Sequence, residues 1–212
     1  MTSTEPPRAE PRARWNVGER REQLLALGLR LFSERPYDEI AIDDIAREAG
    51  ISKGLLYHYF GSKRDFYVEC VREVARQLVE RTEADPALPG PERAREGLAR
   101  YLEFVEERDR AYLALLRSGI GSDLEVMQIV EATRAQIVAR MLASMGLPEP
   151  RPVFRLAARS WIGQVEAASL DWLDHRDVGR DALVTLLLSA LSGTLRAAKW
   201  LDPDAPFELE PI

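Results

Sequence analysis

The residues most suited to contacting another molecule lie close together, in the segment ISKGLLYHYFGSK that spans residues 51–63. Ser52 and Lys53 stand where a helix would begin, and the free amides and dipole of a helix N-terminus favour phosphate oxygens. Gly54 follows and allows close approach of a backbone. This order of residue types is typical of a segment that positions itself on a nucleic-acid backbone.

Two tyrosines, a histidine and a second lysine complete the segment. Tyr57 and Tyr59 can donate hydroxyls to phosphates while their rings cover sugars, and Lys63 supplies a point charge. His58, together with Lys53, is the side chain that we expect to reach base edges. Each of these residues alone is more often a core aromatic or a solvated charge, but their combination favours DNA binding.

Two short helices joined by a tight turn must hold these side chains in place. Ile42 and Ile45 give the first of them an apolar face, and Leu56 and Phe60 give the second a face that can pack against it. Gly50 separates the two, and a turn this tight between short helices forces the steep crossing of a helix-turn-helix. The segment from Ala41 to Tyr59 is therefore predicted to be a helix-turn-helix.

The rest of the chain has the apolar spacing of helices, and the predicted fold class is all-α. Residues 1–16 are proline- and arginine-rich and are expected to be a disordered arm. A first helix begins at Val17 and ends at Pro36. The further helices are expected at about residues 42–49, from the cap Ser52 to about 59, then 62–81, 92–108, 109–118, 121–145, 151–175 and 179–201.

Composition excludes several classes of protein. The formal net charge of the 212 residues is -6, and residues 1–80 carry 13 Lys and Arg against 14 Asp and Glu, so bulk charge does not attract DNA. One cysteine, Cys70, cannot form an internal disulfide and is expected to pack in the core. With two histidines far apart, neither a metal site nor a cofactor is expected. The sequence lacks an apolar secretory signal and a membrane-length apolar run, which favours a cytoplasmic protein.

Many residues at fixed spacing resemble the N-terminal signature of the TetR family of regulators. The matching residues are Leu24, Leu25, Leu31, Phe32, Pro36, Tyr37, Asp44, Ile45, Ala46, Ala49, Gly50, Ile51, Ser52, Gly54, Leu56, Tyr57, Tyr59, Phe60, Ser62 and Lys63. The resemblance covers about 60 of the 212 residues. It implies a three-helix DNA-binding domain whose third helix enters the major groove of double-stranded operator DNA, a homodimer, and a ligand-binding C-terminal domain.

These implications set the expected domains and DNA contacts. Residues 17–77 are predicted to form the DNA-binding domain and residues 78–212 a larger helical domain for ligand binding and dimerisation. The DNA-binding residues are predicted to be Ser52, Lys53, Gly54, Leu55, Tyr57, His58, Tyr59 and Lys63. Three positions depart from the family pattern: Ala41 replaces a capping Thr or Ser, Leu55 a small or hydroxylated residue, and Gly28 an alanine. We expect these departures to alter operator preference and local stability.

The C-terminal domain contains one charge in an otherwise apolar helical stripe. Arg134 lies four residues from both Val130 and Val138, so it must reach solvent, meet an internal acid, or bind an anionic group. Aromatic residues at helical spacing suggest a mostly apolar pocket for a small molecule that we cannot name. The predicted ligand-binding residues are Tyr101, Phe104, Tyr112, Met127, Arg134, Met141, Trp161 and Gln164.

The last two helices are too apolar to lie in solvent. Leu183, Leu187, Leu191 and Leu195 are spaced by fours, and the family resemblance implies that helices 151–175 and 179–201 pair with their copies in a dimer. The function implied is a repressor that a small molecule releases from its operator. Two rivals remain open: an enzyme, for which no nucleophile with a nearby base is present, and a helical regulator that acts through protein contacts or without a ligand.

Overall fold

Every regular element in the part of the chain that the computed structural model describes is helical, as predicted. The described residues are 17–108, 123–149 and 151–206. They form α1 (Val17–Glu34), α2 (Ile42–Glu48), α3 (Lys53–Phe60), α4 (Lys63–Arg81), α5 (Gly90–Glu107), α6 (Leu124–Ser144), α7 (Pro152–His175) and α8 (Arg180–Leu201), with a short 3₁₀ turn at Tyr37–Glu39. The predicted arm at 1–16 and the predicted helix at 109–118 lie outside the described residues.

The first four helices enclose the N-terminal core. The apolar faces predicted for α2 and α3 are buried, with Ile45 and Leu56 almost fully covered. Phe66 of α4 fills the centre and contacts Phe60 edge-on, with ring centroids 4.7 Å apart. This packing fixes the orientation of α3 and leaves its opposite face to solvent.

The turn between α2 and α3 depends on a glycine. Gly50 has a φ of 64°, a left-handed conformation that side chains with a Cβ rarely adopt. The amide of Ile51 donates to the carbonyl of Ala46 at 3.0 Å, which closes the end of α2. Arg20 of α1 donates to the carbonyl of Ala49 at 3.0 Å, so α1 also holds this turn in place.

The predicted helix caps are present with one modification. The Ser52 hydroxyl accepts the amide of Leu55 at 3.2 Å at the start of α3. Ala41 has no side-chain oxygen, yet the carboxylate of Asp44 accepts the Ala41 amide at 3.2 Å, which satisfies part of the α2 N-terminus. The cap that the sequence lacks at Ala41 is thus partly replaced from within the helix.

The second core lies among α5, α6, α7 and α8. Leu183, Leu187, Leu191 and Leu195 are all buried within the chain itself. α8 uses this stripe to pack on its own domain, so a pairing of α7 and α8 with a second copy would have to use other faces of these helices. The indole of Trp161 on α7 donates to the carbonyl of Leu187 at 2.8 Å and ties the two helices together. In the described part of the chain, α8 is also the helix long and apolar enough to span a membrane, by length and composition.

α4 and α6 connect the two cores. The predicted boundary between residues 77 and 78 falls inside α4, which runs without a break from Lys63 to Arg81. Val126, in the first turn of α6, is buried in the N-terminal core. Arg64 at the start of α4 donates to both carboxylate oxygens of Asp123, the N-cap of α6, at 2.6 and 2.9 Å. An ion pair and shared packing therefore join α4 and α6 where the two cores meet.

Candidate nucleic-acid interface and ligand cavity

One face of α3 is open to solvent. Leu55 and Tyr57 are 39% and 40% exposed, and His58 is also exposed. Leu56 and Phe60 occupy the buried face, so the residues between them must point away from the core. Tyr59 is half-buried, and it packs against the N-terminal core while part of it stays at the surface.

The lysine at the start of α3 is paired with an acid of α2. The Lys53 ammonium donates to the carboxylate of Asp43 at 3.0 Å, and both side chains are about half exposed or more. This hydrogen bond raises the pKa of Lys53, so the side chain is fully charged at neutral pH. A phosphate that binds Lys53 must compete with Asp43 for it.

Lys63 lies closer to the protein interior than the sequence suggests. Its ammonium donates to the carbonyl of Tyr37 at 2.6 Å and lies 3.9 Å from the centroid of the Tyr37 ring. Burial lowers the pKa of this lysine. Lys63 therefore holds the start of α4 to the 3₁₀ turn, and its role as a phosphate contact stays a prediction.

Two glycines of the N-terminal domain differ in what surrounds them. A Cβ at Gly54 would meet open space, so the exposed backbone there can approach a flat partner closely. At Gly28 of α1 a Cβ would come within 2.5 Å of Phe66 and 2.6 Å of the Cys70 sulphur. The departure from alanine at position 28 thus accommodates these two side chains. Cys70 itself is buried and its pKa is raised by burial, as expected of a packing residue.

A cavity of about 600 Å³ lies between α4, α5, α6, α7 and α8. Leu78 of α4, Leu98 of α5, Ile137 of α6, Val165 of α7 and Leu195 of α8 each contribute to its wall. This volume is within the range of small-molecule sites, and a mostly apolar lining is typical of them. α4 is the element that the cavity shares with the DNA-binding domain.

Five of the eight predicted ligand-binding residues line this cavity: Tyr101, Phe104, Arg134, Met141 and Trp161. Met127 is 48% exposed in the first turn of α6 and does not contribute to the cavity wall. Gln164 is exposed because Trp161, Ile162 and Val165 form the inner face of α7. The structure therefore places Met127 and Gln164 outside the cavity, and Tyr112 lies outside the described residues.

Arg134 meets an internal acid, which is one of the three alternatives that its position allowed. Its guanidinium donates to both oxygens of Glu166 on α7, at 2.8 and 2.7 Å, and it also contacts Glu131 one turn earlier on α6. Both members of the Arg134–Glu166 pair are about one-fifth exposed. The charge that the stripe carries is thus neutralised inside the protein.

Sequence reasoning missed part of the cavity wall. Val74 and Leu78 of α4 were not predicted as ligand-binding residues, yet they line the cavity. Glu166 and Arg140 were not singled out. Glu166 lies four residues from both Ile162 and Leu170, so a charge in an apolar stripe is the signal that would have identified it. Arg140 has Gln136 and Ser144 at the same spacing and gives no such signal.

Family models match both parts of the chain. Residues 24–70 match the model described as "Bacterial regulatory proteins, tetR family", and residues 91–193 match "Tetracyclin repressor-like, C-terminal domain". A crystal structure of a tetR-family transcriptional regulator from Streptomyces coelicolor is 32% identical, with a TM-score of 0.81 over 90% of this chain and 86% of that one.

Curated relatives are similar over a shorter length. The transcriptional activator FasR of Mycolicibacterium smegmatis is 29% identical over 55% of each chain. The transcriptional regulator BetI of Agrobacterium fabrum is 32% identical over 58% of this chain and 56% of that protein. The chain thus spans just over half the length of these two relatives. Together with the all-helical fold and the two family models, these likenesses place the chain in the TetR family of DNA-binding transcriptional regulators.

Proposed function

We propose that this protein is a repressor that binds operator DNA as a homodimer and leaves it when a small molecule enters the cavity. The observation that carries this proposal is α4, which packs on the buried face of α3 through Phe66 and Phe60 and then lines the cavity with its later turns. A ligand that displaces α4 would therefore move α3. Two α3 helices at the wrong separation cannot enter successive major grooves, and this couples the two sites.

The DNA side of the proposal rests on the exposed face of α3. Leu55 can contact a thymine methyl group, and His58 and Lys53 can reach polar base edges. Tyr57, the amides at Ser52 and the open backbone at Gly54 suit phosphate contacts. Lys53 exchanges its bond with Asp43 for one with DNA, so binding would release counterions and depend on salt.

The dimer side rests on apolar side chains that α7 and α8 leave exposed. Leu156 of α7 is 62% exposed, and Leu186 and Trp200 of α8 are 61% and 80% exposed. Small residues accompany them, with Gly163 on α7 and Gly193 on α8, so two such faces can approach closely. A two-fold pairing of these helices would cover the apolar surface and present two copies of α3.

Dimerisation has its own test. Replacing Leu186 with Glu on this face should convert a dimer into a monomer in light scattering, whereas Arg95→Glu on α5 should not. A monomeric unmodified protein would contradict the proposed dimer. We place the protein in the cytoplasm, where its operator is, and assign it no enzymatic activity and no membrane partner.

Selection of bound duplexes from random oligonucleotides tests the function directly. The proposal predicts enrichment of an inverted repeat, because a two-fold dimer reads two symmetric half-sites. The selected duplex is then used to screen metabolites for release, and a reporter with the operator over the promoter distinguishes repression from activation. If no sequence is enriched, or if the protein binds protein partners and no DNA, the proposal is overturned in favour of a regulator that acts through protein contacts.

A further inference from the structure

The cavity contains an arginine that no acid among the described residues neutralises. Arg140 of α6 lines it and donates to the carbonyl of Val79 at 2.8 Å, to the carbonyl of Thr82 at 3.3 Å and to the Thr82 hydroxyl at 2.8 Å. These acceptors belong to the last turn and C-cap of α4. The guanidinium is thus held by backbone and hydroxyl dipoles.

Arg140 differs from Arg134, the other arginine that α6 places in the cavity. Arg134 has the full carboxylate of Glu166 as its partner. Within the described ranges, no carboxylate lies within ion-pair distance of Arg140. Glu83 acts on Arg140 only at longer range, and burial lowers the pKa of the guanidinium. Arg140 therefore lines the cavity with a positive charge that no described carboxylate contacts directly.

A second arginine has the same kind of surroundings. Arg93 of α5 also lines the cavity, and its guanidinium donates to the carbonyls of Pro86 at 2.6 Å and Leu88 at 2.7 Å. Glu83, Arg93, Arg134, Arg140 and Glu166 are the charged residues among the described lining, and they leave an excess of one positive charge. The rest of the wall is mostly apolar, so this charge acts through a medium that screens it weakly.

We propose that the cavity binds an organic anion with an apolar body, whose charged group pairs with Arg140. This inference rests on the proposed effector function of the cavity and specifies its ligand. Three contacts leave the Nε hydrogen and one Nη1 hydrogen of Arg140 without a partner among the described residues. An anion accepts charged hydrogen bonds from these donors. An apolar neutral ligand would bury them without an acceptor, which costs free energy, and the positive charge repels a cation.

Three probes of equal chain length test the proposal on the full chain without DNA. Binding of decanoate, decan-1-ol and decylamine is measured by calorimetry and by intrinsic tryptophan fluorescence, since Trp161 lines the cavity. We expect decanoate to bind at least about tenfold more tightly than the other two, and Arg140→Gln to remove that preference. Equal affinities, no binding of decanoate, or an unchanged preference in Arg140→Gln would overturn the proposal.

A matched variant and a conservative one separate binding from folding. Arg95→Gln on α5 removes one positive charge outside the cavity, as Arg140→Gln does inside it, and it should keep the preference for decanoate. Arg140→Lys retains the charge if Arg140→Gln does not fold, and it should still discriminate against decylamine. Loss of the preference in Arg95→Gln, or no preference in Arg140→Lys, would contradict a role for Arg140.

The proposed ligand class and the proposed effector role of the cavity can fail independently. If decanoate binds through Arg140 but its analogues never release the operator, the ligand class stands and the effector role fails. If a neutral compound in the cavity releases the operator while decanoate does not bind, the effector role stands and the ligand class fails.

Discussion

Lys53 should provide a measurable electrostatic contribution to DNA binding. It stands at the N-terminus of α3 with a side chain that is 47% exposed, and its partner Asp43 is 64% exposed. Each phosphate neutralised adds about 0.9 to the slope of log affinity against log salt, so two Lys53 side chains in a dimer contribute about 1.8. A slope of about 1.8 means that these two contacts make binding about 60-fold tighter at 0.1 M salt than at 1 M salt. Competition from Asp43 makes the loss in Lys53→Gln smaller than this value.

Fluorescence anisotropy with the selected operator and with a random duplex, between about 50 and 200 mM salt, measures the effect. We expect Lys53→Gln to lower the slope on both duplexes and Asp43→Asn to raise affinity on both. A greater loss on the operator would assign Lys53 a base contact in addition. Arg95→Gln removes one positive charge from α5 and should leave the slope unchanged. An unchanged slope in Lys53→Gln would refute the orientation of α3 towards DNA.

Three further predictions follow from named contacts. Tyr57→Ala should weaken binding to operator and random DNA alike, whereas His58→Ala should change the selected sequence; equal losses for His58→Ala on all sequences would argue against base reading. Gly28→Ala should lower the free energy of unfolding by about 1–3 kcal/mol, because the added methyl group overlaps Phe66 and Cys70. Urea denaturation at fixed protein concentration measures this loss, and adding Cys70→Ala should recover part of it. If Gly28→Ala is neutral, the close approach is absent. Arg134→Gln should lower the free energy of unfolding by about 1–3 kcal/mol, because it leaves Glu166 unpaired. Adding Glu166→Gln in the same chain should reduce that loss. If the losses of the two single variants simply add, the two side chains do not interact.

The DNA-binding domain was predictable because its signals are local. Gly50 marks the turn, Ser52 caps α3 three residues before Leu55, and Ile45 and Leu56 alternate with polar residues at helical spacing. All of these relations span a few residues along the chain, where helix geometry determines which side chains meet. The internal partners of the lysines were not predictable, because Lys63 meets Tyr37 across 26 residues.

The C-terminal domain was less predictable because apolar stripes do not reveal what covers them. The leucines of α8 and the leucines of a dimer face have the same spacing, and only the packing of α7 on α8 buries Leu187 within the chain. The same ambiguity placed Gln164 in the cavity, although the structure leaves it exposed on the outer face of α7. The partner of Arg134 could be named as an acid but not as Glu166.

Cleavage of operator DNA from a probe on the helix-turn-helix tests the central claim most directly. Arg47 of α2 is 75% exposed, and the native Cys70 is buried. In the variant Arg47→Cys, a thiol-reactive iron chelate therefore attaches at the one exposed thiol and cleaves the DNA near it. The account predicts two cleavage centres about one helical turn apart, one in each half-site, and none from Arg95→Cys carrying the same probe. Cleavage at a single centre, or equal cleavage from both probes, would contradict a dimer that places two copies of α3 in successive major grooves.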